Sequence, residues 1–544
     1  MDLLGTITAI PRQLGALKIL GDTGIVNPLR PDRLVGTART MARWGPTPAG
    51  GYAAAAQNFP DDVALIDERG ALTFGALHRR TNALAHGLSA LGVGAGDGVA
   101  VLCRNHRGFV EATVAASKLG ADVLFLNTGF SSPQAKGVLD REGATAVVFD
   151  SEFADVVAEG SRGRIQVVAW HDGHSPIPTI DALIADHPDT DPPKPARHGR
   201  VVILTSGTTG APKGAPRSSP RSLESAVALF SRIPMRSRQT TVIAAPMFHA
   251  WGLGHLQLGM ALSSTLVLQR RFDPEDTLRA IATHRATTLV VVPVMLQRIL
   301  SLPAETRARY DCSSLRITAA SGSALPGELA TRWMDAFGDN LYNLYGSTEV
   351  AWASIATPAE LRAAPGTAGR PPVGTVVRLY DEQGVPVVTG ERGRIFVGSD
   401  MLFEGYTGGG SKVVIDGLMS VGDMGHIDED GLLFVDGRED DMIVSGGENV
   451  FPSEVEDLLA SHVAIADVAV VGVRDDEFGQ RLRAFVVMTP GGPGLTEAAV
   501  KTYVRDRLAR YKVPREVVFL EELPRNASGK VLKRELQTWG AAAD

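Results

Sequence analysis

Residues 201–214 read Val201-Val-Ile-Leu-Thr205-Ser-Gly-Thr-Thr-Gly210-Ala-Pro-Lys213-Gly214, an apolar run followed by hydroxyls, glycines and one lysine. Glycines let main-chain N–H groups approach phosphate oxygens, the hydroxyls donate further hydrogen bonds, and the lysine adds a positive charge. The stretch therefore predicts a strand and a polyphosphate-binding loop, with ATP as the first candidate ligand. It is not a Walker A motif, because Lys213 is followed by Gly214 and not by the serine or threonine that would hold magnesium.

Apolar runs alternate with segments of helical periodicity through most of the first 430 residues. The runs at 99–102, 201–205, 242–245 and 289–292 predict buried strands of largely parallel sheets. A β-α-β unit is legible at 315–345, with a helix that opens at Pro326. Ligands of open α/β sheets bind at the carboxyl ends of the strands. The unit therefore places residues 321–323 and Gly346 where a ligand is expected.

The pattern changes near residue 438. Beyond it we expect a helix at 452–460, strands at 468–473 and 484–487, and a helix at 498–510. The predicted fold class is α/β, with a large N-terminal domain of mostly parallel sheets flanked by helices at 46–437. A small α+β C-terminal domain follows at 438–544, and residues 1–45 form an N-terminal extension.

The amino-acid composition excludes several classes of protein. The chain has 544 residues, too many for one core, and 44% of them are apolar. A net charge of −7 without a run of lysines argues against a nucleic-acid partner. Cys103 and Cys312 are the only cysteines and lack metal-ligand spacing, which favours a cytoplasmic location and argues against structural zinc. Residues 241–269 lack charge, but Pro246 and three glycines favour a buried strand, a loop and an internal helix over a membrane span.

The extension at 1–45 carries an apolar helical stripe that Pro11 should bend. The members of the stripe are Leu3, Ile7, Ile10, Leu14 and Leu17. Two interpretations are open. The stripe docks onto the protein's own surface, or it makes peripheral contact with a membrane, since basic residues outnumber acids in this segment.

Four motifs follow the phosphate loop in order. They are Asn343-Leu-Tyr-Gly-Ser-Thr-Glu349, Ser420-Val-Gly-Asp-Met-Gly425, the segment 436–456 that begins Asp436-Gly-Arg-Glu-Asp440, and Pro524-Arg-Asn-Ala-Ser-Gly-Lys530. Their order and spacing resemble the adenylate-forming (AMP-binding) superfamily, with the best fit to its fatty acyl-CoA synthetase branch. The resemblance runs from about residue 74 to residue 536. Two departures are Ala215-Pro-Arg after the phosphate loop and Val421 in place of a frequent threonine.

The resemblance implies a site for ATP and Mg²⁺. The β- and γ-phosphates would contact Thr205, Ser206, Gly207, Thr208, Thr209, Gly210 and Lys213. Adenine and phosphate contacts would come from Ser321, Gly322, Ser323, Tyr345, Gly346, Ser347 and Thr348. Glu349 and Thr205 would hold the metal ion, Asp423 would accept hydrogen bonds from the ribose, and Arg438 would reach the ribose or a phosphate. Each residue taken alone has an ordinary alternative on the surface or in a turn, so the assignment depends on their occurrence in register.

The resemblance also implies catalysis in two steps at one site. Lys530 would bridge the carboxylate and α-phosphate oxygens during adenylation, with Glu349, Thr205 and Lys213 completing the catalytic set. The small domain would then pivot at Asp440 and withdraw Lys530. That motion would bring Ser445, Gly446 and Gly447 to line a tunnel for coenzyme A.

Three residues are candidates for the acyl pocket. His249 and Trp251 lie in a segment that borders the acyl site in the family, although both could be ordinary core residues. Gly346 occupies a position where acetate-specific relatives carry a tryptophan, so its missing side chain predicts room for a longer chain.

The sequence therefore predicts an ATP-dependent ligase that joins a medium- or long-chain fatty acid to coenzyme A. One alternative is a fatty acyl-AMP ligase that delivers the acyl group to a carrier protein. Another is a non-catalytic nucleotide-binding protein, which the retention of the charged site residues argues against.

Overall fold

The computed structural model describes residues 18–25, 31–205, 213–217, 224–403, 405–406, 411–445, 448–475 and 479–539. Some predicted features lie outside these residues. They are the apolar stripe at 3–17, the loop residues Ser206, Gly207, Thr208, Thr209 and Gly210, and the tunnel residues Gly446 and Gly447.

Two largely parallel sheets form the core of the large domain, as predicted. In spatial order, the first contains Ser354–Ala356, Leu341–Tyr345, Ile317–Ala320, Thr288–Val291, Thr240–Ile243, Thr265–Leu268, Val63–Asp67 and Gly70–Thr73. The second contains Ile165–Trp170, Ala144–Asp150, Gly98–Leu102, Asp122–Phe125, Val201–Thr205 and Lys213–Arg217. The antiparallel pairs involve terminal strands, and the other neighbouring strands run parallel.

Helices cover these sheets, which explains why the central strands are apolar on both faces. Leu289, Val290 and Val291 have no exposed surface. The α-helices of this domain are Pro31–Trp44, Pro48–Asn58, Phe74–Ala90, Arg107–Leu119, Ser132–Arg141, Ala154–Val157, Ile180–Asp186, Glu224–Phe230, Ala250–Ala261, Pro274–His284, Pro293–Leu300, Ala304–Ala308, Gly327–Phe337 and Pro358–Ala363. A 3₁₀ turn lies at Ser151–Phe153.

The predicted β-α-β unit is present and positions the site. Its helix, Gly327–Phe337, begins directly after Pro326 and buries Trp333. The flanking strands Ile317–Ala320 and Leu341–Tyr345 are parallel neighbours. The segments that follow both strands therefore emerge at one edge of the sheet.

Two antiparallel sheets follow. The first contains, in spatial order, Val376–Tyr380, Gly393–Gly398, Leu418–Ile427 and Val414–Ile415, with Leu433–Arg438 paired to Leu418–Ile427. After a 3₁₀ turn at Glu439–Asp441, the second contains Glu448–Val450, Ile443–Ser445, Gly479–Met488 and Ile465–Asp475, with Glu516–Leu520 paired to Gly479–Met488. Helices Pro452–Ala460, Glu497–Arg505 and Lys533–Gln537 and the 3₁₀ turn Arg510–Lys512 complete the small domain. The helix predicted at 498–510 thus ends at Arg505.

The described part of the extension packs on the protein itself. Ile19 and Ile25 contact an apolar cluster that includes Ile233, and the main-chain N–H of Ser237 donates to Thr23 O at 2.7 Å. These contacts support the docking interpretation for residues 18–25. The charge-free segment 241–269 contains the predicted strand and helix, and it also forms a second strand, Thr265–Leu268, that was not predicted. None of the helices in the described ranges combines the length and the apolar character needed to cross a membrane.

Candidate active site

Two strands and the β-α-β unit assemble the first part of the site. Asp423 and Arg438 face each other on the paired strands Leu418–Ile427 and Leu433–Arg438. Tyr345 ends its own strand, and its hydroxyl donates to Asp423 Oδ2 at 2.5 Å. Arg438 Nη1 lies 3.5 Å from Asp423 Oδ1, and Arg438 Nε donates to Asp440 Oδ1 at 2.9 Å. Four predicted residues are therefore linked in one polar network.

Burial sets the direction of the pKa shift at two members of this network, Tyr345 and Asp423. It raises the pKa of the Tyr345 hydroxyl well above its usual value, and the nearby Asp423 charge acts in the same direction. Burial also raises the pKa of Asp423, although the Tyr345 hydrogen bond and the charges of Arg438 and Lys530 oppose the rise. The pKa shift on Asp423 places Lys530 close to this network.

Glu349 lies beside the network and is held by a residue that the sequence did not reveal. The Tyr406 hydroxyl donates to Glu349 Oε1 at 2.7 Å, and the main-chain N–H of Phe403 donates to Glu349 O at 2.8 Å. Burial alone would raise the pKa of Glu349, but hydrogen bonds from Tyr406 and Ser347 and the charge of Lys412 lower it overall. The lowered pKa favours the ionised carboxylate of Glu349, whose oxygens are of the type that Mg²⁺ prefers; its role as a metal ligand remains a prediction.

The loops after the two parallel strands lie where the sequence placed them. Ser321 is buried at the carboxyl end of Ile317–Ala320. Gly322 has a φ of +97°, a left-handed conformation that favours glycine. Thr205 and Lys213 lie opposite each other in the hairpin formed by Val201–Thr205 and Lys213–Arg217, so the phosphate loop connects two paired strands.

Gly346 does not provide the open space predicted for an acyl chain. A Cβ at this position would overlap the carbonyl oxygen of Ala351 and would lie 2.7 Å from Trp352 Cα. The glycine is therefore required by the close approach of the main chain, and the pocket interpretation is wrong at this position. Its assignment to the nucleotide site remains a prediction.

Lys530 is presented by a tight turn whose order comes from Asn526. Asn526 Oδ1 accepts hydrogen bonds from Ser528 N at 3.0 Å and from Lys530 N at 2.9 Å. Arg525 closes the turn, donating from Nη1 to Gly529 O at 2.7 Å and from Nη2 to Asp467 Oδ2 at 2.6 Å. Gly529 adopts a φ of +83°. The 524–530 motif thus encodes a rigid support for the lysine.

The turn docks against the large domain. A Cβ at Gly529 would lie 2.8 Å from Val294 Cγ1, and a Cβ at Gly129 would lie 3.2 Å from Ala527 Cβ. The side chain of Lys530 keeps contact with solvent but lies in the cleft between the domains. Crowding by protein lowers its pKa, Arg438 lowers it further, and the carboxylates of Asp423 and Glu349 oppose the shift.

His249 and Trp251 flank the start of the helix Ala250–Ala261. Burial lowers the pKa of His249 to about 4, and the charge of Lys530 acts in the same direction. His249 is therefore neutral and near Lys530. Trp251 Nε1 donates to Val291 O at 3.0 Å, which ties this indole to the central strand of the sheet. Both residues lie beside the site, although their contact with an acyl group remains a prediction.

Of the residues predicted for the hinge and the coenzyme A tunnel, the structure describes Asp440 and Ser445. Asp440 lies in the 3₁₀ turn Glu439–Asp441, and its pKa is lowered because the Arg438 hydrogen bond and charge outweigh burial. Ser445 ends the strand Ile443–Ser445 and pairs with Gly479. The roles of these residues in domain rotation and coenzyme A binding remain predictions.

A cleft of about 340 Å³ lies between the large domain and the Lys530 turn. Its lining includes the arginines Arg104, Arg270, Arg271, Arg298 and Arg525. Apolar groups, among them Phe248 and Val292, line another part of it. Glu152 pairs with Arg104 at 2.7 Å, with Arg270 at 3.0 Å and with Arg271 at 2.9 Å, so one carboxylate faces three guanidinium groups. The cleft is suited to an anionic ligand that also has an apolar part.

The arginine cleft was not predicted from the sequence, because its arginines come from distant segments of the chain. Tyr406 and Asn526 were also missed as supporting residues. The sequence did carry a signal for Asn526, since the stretch Asn526-Ala-Ser-Gly529 combines residues that are typical of a tight turn.

One cluster outside the site combines possible metal ligands, namely Cys103, His106 and Asp150, all buried. His106 Nε2 lies 2.8 Å from Asp150 Oδ1, and His106 Nδ1 accepts from the N–H of Gly108 at 3.0 Å. His106 therefore caps the helix Arg107–Leu119. Burial holds the pKa of the Cys103 thiol well above its usual value, which makes it a poor ligand.

Comparisons with known proteins cover almost the whole chain. The AMP-binding enzyme family matches residues 52–407, and the AMP-binding enzyme C-terminal domain matches residues 454–530. A feruloyl-CoA synthase of an Amycolatopsis species is 36% identical over 483 residues, which cover 88% of this chain and 96% of that protein. A fatty acid–[acyl-carrier-protein] ligase of Streptomyces coeruleorubidus is 30% identical over 505 residues, covering 90% of this chain and 96% of that protein. The crystal structure of an anthranilate CoA ligase with anthranoyl-AMP superimposes with a TM-score of 0.83 at 26% identity, covering 92% of this chain and 98% of that one.

Proposed function

Because the chain belongs to the adenylate-forming superfamily of AMP-binding enzymes, we propose that it joins a carboxylic acid to coenzyme A through an acyl-adenylate. The observation that carries the proposal is the position of Lys530. The turn at 525–530 places this ammonium within the electrostatic influence of Asp423, Glu349 and His249. A cation at this point can stabilise negative charge that develops between an acid and a nucleotide.

In the first half-reaction, the carboxylate oxygen attacks the α-phosphate of ATP and pyrophosphate leaves. Asp423 would accept from the ribose hydroxyls, with Tyr345 and Arg438 fixing its orientation. Lys530 would contact the oxygens on which charge accumulates. Glu349 and Thr205 would hold Mg²⁺, which neutralises phosphate charge when bound. Tyr406 keeps Glu349 in place through its hydrogen bond.

In the second half-reaction, a thiol attacks the acyl carbon and AMP leaves. The arginine cleft supports coenzyme A as the source of this thiol. Guanidinium groups such as Arg270 and Arg271 bind phosphates well, and Phe248 and Val292 offer an apolar path towards His249. The Lys530 turn forms one wall of the cleft. We therefore propose that the small domain pivots at Asp440 before the thiol enters.

For the acid, we propose a small aromatic or arylalkenyl carboxylate. Phe248, His249 and Trp251 place aromatic rings at the start of the helix Ala250–Ala261, with 5.4 Å between the first two ring centroids. The relatives named above for ferulate and anthranilate support this choice. A medium- or long-chain fatty acid, the acid predicted from the sequence, is the second candidate. It is favoured by the fatty acid ligase relative, but the space inferred at Gly346 no longer supports it.

A panel of acids tests both parts of the proposal. AMP release would be measured with ferulate, anthranilate, octanoate and palmitate, with and without coenzyme A and with an acyl carrier protein as an alternative acceptor. We expect CoA-dependent AMP release that is fastest with an aromatic acid. Faster turnover of palmitate would overturn the acid assignment alone. Transfer of the acyl group only to the carrier protein would overturn the assignment of coenzyme A as the acceptor. If no acid supported ATP–pyrophosphate exchange, the proposed adenylation itself would be overturned.

A further inference from the structure

We propose that Lys412 is an additional phosphate-binding residue of the nucleotide site, which contacts the pyrophosphate part of ATP. The inference rests on the proposed function, because it assumes ATP as the substrate. It assigns a role to a residue outside the motifs from which the site was predicted.

The position of Lys412 is the first observation. A Cβ at Gly422 would lie 3.6 Å from Lys412 Nζ and 3.5 Å from Arg438 Nη2. Gly422 has a φ of +85° and immediately precedes Asp423. The missing side chain at Gly422 thus leaves a small space over the strand, and two cationic groups converge on it. An anion would fit between them.

The local backbone fixes this position. The N–H of Ser420 donates to Val413 O at 2.8 Å, and the strand Val414–Ile415 pairs with Leu418–Ile427 through Val414 and Met419. The side chain of Lys412 is half-buried. A lysine anchored in this way differs from a mobile surface lysine, because its main chain is tied to the strand that carries Asp423.

The charges around Lys412 are the second observation. Its ammonium lowers the pKa of Asp440, the carboxylate with which Arg438 also pairs. Arg438 directs its guanidinium to Asp440, whereas no carboxylate in the described part of the chain forms an ion pair with Lys412. Two neighbouring cations repel each other, and a bound anion that contacts both removes this repulsion. The positive charge of Lys412 is therefore available to an anionic ligand.

The surrounding residues indicate which part of ATP it meets. Asp423 and Tyr345 are assigned to the ribose and adenine, and Glu349 to the metal and the terminal phosphates. Lys412 Nζ lies over Gly422 near the guanidinium of Arg438, the residue expected to reach the ribose or a phosphate. We therefore assign it to the leaving pyrophosphate, where negative charge grows during adenylation.

The test compares Lys412→Ala and Lys412→Arg with the control Lys136→Ala. Lys136 is an exposed lysine of the large domain that pairs with Asp140 at 2.6 Å. The measurements are the KM for ATP, the affinity for pyrophosphate by calorimetry, and thioester formation from supplied acyl-AMP. We expect Lys412→Ala to raise the KM for ATP and the pyrophosphate Kd about tenfold, in the range of a charge-assisted hydrogen bond at a partly exposed site. Lys412→Arg should restore most of the affinity, and thioester formation should be unchanged.

Three results would overturn the assignment. They are an unchanged KM and Kd in Lys412→Ala, an equal loss in thioester formation from acyl-AMP, and an equal effect of Lys136→Ala. If the proposed ATP-dependent function itself is wrong, the result is different, because the unsubstituted protein would then bind neither ATP nor pyrophosphate.

Discussion

The nucleotide side and the lysine side of the site are held in place by different means. Asp423 and Arg438 lie on paired strands of one sheet, and the hydroxyl of Tyr345, which belongs to another sheet, donates to Asp423. Lys530 belongs to the small domain and reaches the site because its turn packs on Val292 and Val294. The first arrangement is built into the large domain, whereas the second exists only while the domains are docked. Substitutions on the two sides should therefore affect the two half-reactions differently.

The largest difference is expected for Lys530→Ala. The rate of adenylation, measured by pyrophosphate exchange, should fall about 10²-fold or more, because a hydrogen-bond donor to the developing negative charge is lost. Thioester formation from supplied acyl-AMP should persist, because this step does not use the lysine. Lys533→Ala is a suitable control, since Lys533 pairs with Glu456 at 2.9 Å. Equal losses in both half-reactions would contradict the assigned role.

The same lysine predicts a pH dependence. Its pKa is lowered in the folded protein by crowding in the cleft and by Arg438. The protonated form, which adenylation needs, is then lost at a lower pH than for an ordinary lysine. The adenylation rate should therefore decline on the alkaline side, and Lys530→Arg, which stays charged, should move that decline to higher pH. If the alkaline decline of the adenylation rate occurs at the same pH in Lys530→Arg, another group is responsible for it.

A smaller effect is expected for Asn526→Ala. This change removes the acceptor for Ser528 N and Lys530 N, so the turn loses its order while the lysine remains. Adenylation should fall about tenfold, in line with the loss of two hydrogen bonds that order the turn. Asn526→Asp keeps an acceptor oxygen and should lie close to the unsubstituted rate. If the two variants behave alike, the turn is not what positions Lys530.

The arginine cleft predicts a change in the second half-reaction only. Arg271 is largely exposed, with 71% of its side chain open to solvent, so Arg271→Ala should fold normally. It should raise the KM for coenzyme A about fivefold, as expected for one exposed phosphate contact, and should leave the KM for pantetheine unchanged. Arg279→Ala, which removes an exposed pair with Asp276, is the control. An equal rise in the KM for pantetheine would show that the phosphates of coenzyme A bind elsewhere.

The smallest effect concerns the docking of the domains. Arg392 donates to Glu454 Oε1 at 2.8 Å and lies 3.0 Å from Asp436 Oδ2, so it links residues before and after the hinge. A half-exposed pair is worth at most about 1 kcal/mol. Arg392→Ala should therefore lower adenylation relative to thioester formation by no more than about fivefold. An unchanged ratio of the two rates would show that other contacts hold the domains together.

Much of the fold was predictable because it depends on local pattern. The runs at 242–245 and 289–292 correspond to the strands Thr240–Ile243 and Thr288–Val291. Pro326 correctly marked the start of the helix Gly327–Phe337. In the charge-free segment 241–269 the strand and the helix were assigned correctly, with Pro246 between them, although the three glycines lie inside the helix Ala250–Ala261. Local sterics and apolar periodicity are sufficient for such assignments.

Gly346 shows where this reasoning fails. The sequence revealed a missing side chain but not what occupies the space beside it, and the main chain of Ala351 and Trp352 fills that space. Tyr406 could not be connected to Glu349 either, because 57 residues separate them along the chain. Such contacts depend on how distant segments pack, which periodicity does not encode.

The sequence by itself determined the superfamily and the presence of largely parallel sheets, and it predicted the charged residues of the nucleotide site, because glycine-rich loops and ordered motifs record local chemistry. Only the tertiary structure decided that Tyr345, Asp423, Arg438 and Asp440 form one network and that arginines from distant segments share a cleft. It also placed Lys412 over Gly422. The physical reason is that electrostatic interactions and close packing act over a few ångströms in space, between residues that the chain separates by tens to hundreds of positions.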